Sequence, residues 1–308
     1  MTFEVYLQSQ KKPDSAGIIG WFDLHKIYST CPAKYRWDER ESNNVAAIAE
    51  HAAILNPAEF ERRFIREPDK SEYPEALTTD KEICSWLKEK GVAGYSGKKF
   101  DELLALVDRT GDKPLIWKRF IDEFNQNVGM KTSVPATTFD KVLQMRAVIF
   151  GNERFAKIFE DSINDVTIIG ELHGVKIQVK YDAMTPQGAI VDYVGCTNAS
   201  PDEFKNQSIR GGYYLKQALL HDVFVEAYGH QPIDQLILAQ ERTFPHIPEY
   251  YKLTDKFLEI GRTQYKTALQ LIKKCTEKDI WPTYSLSDEV NEIIVPEYYA
   301  KQYGVGEK

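Results

Sequence analysis

Paired cysteines are missing from this sequence. Cys31, Cys84, Cys196 and Cys275 are scattered and no CxxC occurs, which argues against a disulfide framework and against a structural zinc site. Long apolar runs are also missing. No stretch approaches the roughly 18 residues that a membrane helix needs, and the opening MTFEVYLQSQKKPDS has no apolar core of the kind a signal peptide carries. The expectation is a chain without a membrane partner, working in a reducing cytoplasm. Positive charge is not in excess: 39 Lys and Arg stand against 46 Asp and Glu, a net charge of −7. That disfavours a simple basic coat for nucleic acid, but not an enzyme that combines a local basic track with an acidic centre. Neither a G-x-S-x-G elbow nor a glycine-rich phosphate loop is present, so serine-nucleophile and P-loop readings find no support. What the chain does have is 43% hydrophobic and 12% aromatic residues over 308 positions, enough for one large core or two smaller ones.

The first 25 residues alternate weakly (Phe3, Val5, Leu7), turn at Lys12 to Ser15, and offer a second strand at Ile18 to Phe22. A proline-initiated helix is expected from Cys31-Pro32, and a compact alanine-rich helix over 43–55, closed by Asn56-Pro57. Thr79 and Asp80 cap a helix running to about Lys90; a glycine-punctuated loop over 91–97 leads to a second helix over 98–107. Residues 110–135 show no clear period, and 138–163 read as helix. The pattern then changes to period two over 166–170, 175–179 and 189–193, three strands joined by short turns. A long helix over 208–228, a strand over 236–241 and a final helix over 252–278 follow. This order predicts an α/β fold with helices on a mixed sheet.

Asp182 and Asp192 lie on adjacent predicted strands, joined by the turn around Met184 to Gly188. A hairpin of that length brings the two carboxylates together, and clustered carboxylates repel unless a cation or proton lies between them. A hard ion such as Mg²⁺ satisfies both and can activate water toward a phosphodiester. The alternative is a pair of solvated aspartates at strand ends. Glu171 opens the hairpin region. Lys216 and Gln217 follow Gly211-Gly212 at the start of a helix, where a phosphate could be addressed. His51 sits on the separate alanine-rich helix.

Several segments, in order, resemble the RecE (exonuclease VIII) C-terminal nucleases of the PD-(D/E)XK superfamily. Cys31-Pro-Ala-Lys-Tyr35 is similar to that group's Ser-Pro-Ala-His-Tyr stretch. His51 with Pro57 and Phe60 resembles its early histidine, Leu-x-Pro and phenylalanine. Glu171-x-x-Gly174 through Asp182 resembles the strand pair ending in Pro-Asp, and Asp192-Tyr193 the start of the Asp-x-Lys-Thr element. Gln217 resembles the helix glutamine that a tyrosine follows four residues later. Leu236 to Glu241 and Trp281-Pro-Thr-Tyr284 are similar to its late elements, so the resemblance runs from about 28 to 299.

The resemblance implies a restriction-endonuclease-like mixed sheet flanked by helices, a single nuclease domain over 1–308, and Mg²⁺ (Mn²⁺ as a substitute). His51, Asp182, Asp192 and the Tyr193 carbonyl would hold the ion. Asp182, Asp192, Lys180, Gln217 and Glu171 would carry catalysis, with Glu171 as a secondary ligand or as a group orienting water. It further implies 5′ to 3′ digestion of double-stranded DNA ends, a homo-oligomer, and a single-strand annealing protein as partner in phage-type recombination. Val194 stands where the group has its Asp-x-Lys lysine, and His221 where it has its tyrosine. Valine can neither activate water nor steady negative charge. Lys180, two residues before Asp182, and Lys216 are the candidate substitutes. If neither serves, the chain is a catalytically impaired DNA-binding or assembly protein on a nuclease scaffold. Residues 78–109 resemble a SAP-like helix–loop–helix insertion, in which Lys88, Lys98 and Lys99 would meet DNA phosphates, with Lys216 and His221 as further DNA contacts. The alternative is a solvated charged face.

Overall fold

The computed structural model describes residues 3–6, 17–37, 44–160, 162–284, 290 and 292–305. Its centre is a six-stranded sheet in the order β1-β4-β5-β6-β7-β8. The strands are β1 (Glu4–Tyr6), β4 (Ile163–Leu172), β5 (Val175–Met184), β6 (Ala189–Cys196), β7 (Asp234–Glu241) and β8 (Pro248–Tyr251). Only β6 and β7 pair in parallel. A separate parallel pair joins β2 (Phe64–Arg66) to β3 (Thr132–Val134). This is the mixed α/β sheet expected from the alternation pattern. The β4–β5 turn is His173-Gly174, both at positive φ (52° and 80°), as a two-residue type I′ hairpin requires. Every residue of β6 is buried, the mark of a central strand covered on both faces.

One face carries α1 (Trp21–Ser29), α11 (Tyr213–Tyr228) and α12 (Asp255–Lys278). Leu24 and Ile27, Leu215, Leu219 and Val223, and Tyr265, Leu269 and Ile272 form one core there with Ile168, Ile177, Val179 and Ile190 of the sheet. The other face carries α3 (Val45–Leu55), α8 (Ala136–Phe150) and α9 (Glu153–Glu160), packed through Ile54, Leu55, Ile149, Phe155 and Phe159 onto Ala183, Val191, Tyr193 and Leu238. Four short helices complete the chain: α2 (Pro32–Trp37), α4 (Pro57–Arg63), α10 (Pro201–Arg210) and α13 (Glu297–Gln302). Residues 77–116 build their own small core: Ile83 and Leu87 of α5 (Asp80–Glu89) meet Leu103, Leu104 and Val107 of α6 (Phe100–Thr110) and Ile116. Thr79 caps α5 as anticipated, in a capping box completed by Glu82.

Several expectations need correction. Ile18 to Phe22 is not a strand: Ile19 forms an isolated bridge to Ile177 and α1 begins at Trp21. The turn expected at Lys12 to Ser15 lies outside the described residues, as does Leu7. The helix expected over 138–163 stops at Gly151, and a new one starts after Asn152, whose side chain accepts the Arg154 N–H. The long helix over 208–228 is two helices, divided at Gly211-Gly212, with Gly212 at φ 68°. Residues 110–135 contain α7 (Trp117–Asn127) and β3. Trp117 and Phe120 of α7 pack on Tyr73. Among the described residues, no helix is long and apolar enough to cross a membrane.

Candidate active site

The site forms where β5 and β6 part. Their pairing covers only Ala183↔Val191 and Met184↔Ile190, so beyond it the Tyr193 N–H has no β5 carbonyl opposite. The Asp182 carboxylate takes that donor, with Oδ2 accepting the Tyr193 N–H at 2.9 Å. Asp182 and Asp192 are both buried, at 4% and 2% exposure, and close enough for a hydrogen bond between their carboxyls.

Helix α11 faces Asp192 with two adjacent residues. Lys216 Nζ pairs with Asp192 Oδ1, and Gln217 Nε2 donates to Oδ2 at 2.7 Å. The Gly211-Gly212 break starts α11 at Tyr213, so Lys216 and Gln217 in its opening turns reach Asp192. Close packing of α11 on α12 depends on Gly261, where any Cβ would collide with the Tyr214 carbonyl. Val194 points to the same side as Asp192 by strand periodicity, but it packs among Cys196, Phe204, Ile237 and Ala239.

His51 approaches from the opposite helix layer. Its Nδ1 lies 4.0 Å from Asp182 Oδ1, and its ring meets Tyr193 edge-on at 5.3 Å. The neighbouring Glu50 is buried and holds Arg242, with Arg242 Nε donating to Oε2 at 2.7 Å. Glu50 lies directly against Gly195, where a Cβ would overlap its carboxylate. Gly195→Ala is therefore expected to displace the ends of the Glu50 and Arg242 side chains and break their pair, lowering the melting temperature; an unchanged melting temperature would show that the pair adjusts without loss.

The electrostatics suit a cation. Burial pushes Asp192 up to about 7; Lys216 opposes this and the Asp182 charge reinforces it. For Asp182, burial acts upward too, but His51, Lys216 and the bond to Asp192 carry it below the ordinary carboxylate value. The pair therefore shares one proton near neutrality. Burial lowers the His51 pKa, although the Asp182 charge opposes it, and a neutral imidazole is a metal ligand. Among the described residues, no three His, Cys, Asp or Glu side chains close into a ready-made metal cage. Mg²⁺ does not need one: it binds through one or two carboxylates and keeps several waters. Two ligands of one such ion stand about 3–4 Å apart, and the 4.0 Å from His51 to Asp182 is within that span. The donors present fit Mg²⁺ or Mn²⁺ better than a caged metal.

Two sequence-derived assignments change. Glu171 pairs with Lys176 near the far end of the β4–β5 hairpin. Lys176 is six residues from Asp182, about 20 Å along a strand, so Glu171 belongs to neither the ligand set nor the water site. Lys180 is ion-paired with Asp165 and lines a cleft of about 530 Å³ with His51, Asn56, Arg62 and Arg63, so of the two lysines it is Lys216 that reaches the acidic pair. His221, expected as a DNA contact, has its Nδ1 bonded to Gln235 Oε1 at 3.1 Å. Lys88 and Lys99 are exposed on the 78–109 unit, and Lys98 pairs with Glu102 at 3.3 Å. Sequence reasoning missed Glu50, Arg242 and Gln235. A buried glutamate beside His51 was visible only as one acidic residue in an alanine-rich helix, and its partner lies 192 positions away.

Comparison with known proteins agrees with this architecture. No curated protein matches the sequence significantly. A crystal structure of a candidate exonuclease from Eubacterium rectale superposes with a TM-score of 0.52 at 14% identity, covering 92% of each chain; at that identity the likeness is one of fold. The family model described as a PDDEXK-like domain of unknown function matches residues 104–292, which include both aspartates, Lys216 and Gln217 but not His51. With the sheet, the splayed strands and the acidic pair in place, this chain belongs to the PDDEXK-like family DUF3799, within the PD-(D/E)XK superfamily.

Proposed function

We propose that this protein is a Mg²⁺-dependent deoxyribonuclease of the RecE type that digests linear double-stranded DNA from its ends. The observation that carries the reading is the buried Asp182–Asp192 pair with the Lys216 ammonium on it. A structural ion pair needs one carboxylate per cation. Two buried carboxylates facing one lysine leave excess negative charge once both are ionised, which is costly unless a second cation binds. Asp182, Asp192, His51 and the Tyr193 carbonyl would hold Mg²⁺, which when bound polarises a phosphodiester and eases deprotonation of water. Gln217 steadies Asp192. Lys216 stabilises negative charge as it develops on the phosphate and restrains the attacking water. The cleft beside His51, with Arg62, Arg63 and Lys180 on its walls, gives the strand a path to that centre.

The rival reading, a nuclease scaffold without activity, drew its force from Val194. Lys216 supplies from a helix the ammonium that the strand lacks. The homo-oligomer and the annealing-protein partner rest on the RecE resemblance alone. The test is digestion of linear and covalently closed duplex DNA in Mg²⁺, with Asp182→Ala as control. Linear DNA should disappear, closed circles should persist, and the variant should be inert. An inert wild type with both Mg²⁺ and Mn²⁺ would rule the proposal out.

The 78–109 unit is proposed to hold duplex DNA through phosphates. Replacing Lys88, Lys98 and Lys99 with Glu changes only its surface, since its core is independent. Affinity for duplex should fall for all sequences alike, and the salt dependence should flatten by about one unit of slope for each phosphate that is no longer neutralised. An unchanged slope in a filter-binding titration would make the unit a bystander.

A further inference from the structure

A chain of side chains leads away from Asp192 on the side opposite the cleft. Gln217 Nε2 donates to Asp192 Oδ2 at 2.7 Å; Gln235 Nε2 donates to Gln217 Oε1 at 2.7 Å; and His221 Nδ1 meets Gln235 Oε1 at 3.1 Å. Amide oxygen and nitrogen look alike, so the direction of such a chain has to be argued from its fixed points. One such point decides it. Gln235 Nε2 also lies 2.8 Å from the backbone carbonyl of Gln217, which can only accept. The nitrogen of Gln235 is therefore on that side and its oxygen faces His221. Because Gln235 donates through that nitrogen, Gln217 presents its oxygen to Gln235 and its nitrogen to Asp192. His221 then has to carry its proton on Nδ1.

We infer that Gln235 is a positioning residue for the carboxylate centre: with His221 behind it, Gln235 fixes the Gln217 amide with its nitrogen toward Asp192. This rests on the proposed metal site and extends it to β7 and to the small cavity of about 170 Å³ that His221, Gln235 and Gln217 line with Asp234 and Lys252. The consequence is directional. A Gln217 free to turn could offer Asp192 its oxygen, which would repel the carboxylate and spoil its alignment. Gln235 prevents that turn by donating to Gln217 twice.

Two measurements test this separately from the nuclease reading. In the metal-free protein, nitrogen-15 NMR of the His221 ring, assigned by its loss in His221→Gln, should show the Nδ1–H form. An Nε2–H form would overturn the chain whatever the enzyme does. The second compares isosteric and apolar replacements by Mn²⁺ calorimetry. Gln235→Glu presents oxygen to Gln217, turns its amide round, and should weaken Mn²⁺ binding by about tenfold or more. Gln235→Leu removes the anchor without reversing it and should cost less than about threefold. A residue that merely fills space gives the opposite order, because leucine departs further from glutamine. Equal losses, or a greater loss for Gln235→Leu, would overturn the inference. Mn²⁺ binding by the wild type serves as the check on the metal site itself.

Discussion

Lys216→Met is expected to reduce Mg²⁺-dependent cleavage of linear duplex by about 10² to 10³, the usual cost of removing a group aimed at developing charge. Lys180→Ala, whose ammonium is occupied by Asp165, should cost less than about tenfold. The same Lys216 change should weaken the metal-free fold by roughly 3 kcal/mol at pH 8, since it leaves a buried carboxylate pair without its cation. Added Mg²⁺ should restore much of that stability while cleavage stays low, which separates a role in chemistry from one in folding. A second substitution sharpens the result. Val194 lies on the Asp192 side of β6, so Lys216→Met with Val194→Lys moves the ammonium from helix to strand and should recover part of the activity. Full activity in Lys216→Met together with an inert Lys180→Ala would reverse the assignment.

Asp192→Asn should abolish cleavage and yet make the metal-free protein more stable at pH 8. Burial, with the Asp182 charge behind it, raises Asp192 to about 7 against the pull of Lys216. An unfolded aspartate titrates near 3.9. Between those values the folded chain holds a proton that the unfolded chain has released. The contribution of this carboxylate is therefore fully present below about pH 4 and is lost as pH rises through about 7. Asparagine is uncharged at every pH and leaves Lys216 to neutralise Asp182. The gain at pH 8 should appear as a melting temperature several degrees above that of the wild type. It should shrink to nothing near pH 4. With millimolar Mg²⁺ the wild type should gain stability by mass action and the variant should not. A less stable Asp192→Asn at pH 8 would mean that Asp192 is an ordinary structural ion-pair partner. Natural active sites commonly trade stability in this way.

Much of this was legible in the sequence. Period-two alternation located β4, β5 and β6, and the Thr185 to Gly188 turn put Asp182 and Asp192 side by side. Helix breaks were harder. Gly211-Gly212 is plain in the sequence, but the apolar period on both sides disguised it. In α7 the aromatic residues Trp117, Phe120 and Phe124 recur at helical spacing, diluted by charged neighbours because the helix is only half covered. Glu171 misled because an acidic residue two strand positions before a turn looks poised for chemistry, while register places it at the far end of the hairpin. The choice between Lys180 and Lys216 could not be read from spacing. It depends on which helix packs over β6 and on how far β5 has peeled away by Asp182. Glu50, Arg242 and Gln235 gave no signal, because their partners are brought to them only by tertiary packing.

The central claim is that one ion site lies between Asp182 and Asp192 with the Lys216 ammonium beside it. Anomalous diffraction from crystals soaked in Mn²⁺ tests it most directly. The expected result is a single strong peak within bonding distance of both carboxylates, lost in Asp192→Asn. Manganese bound elsewhere, or none bound while the protein still cleaves DNA, would contradict the account.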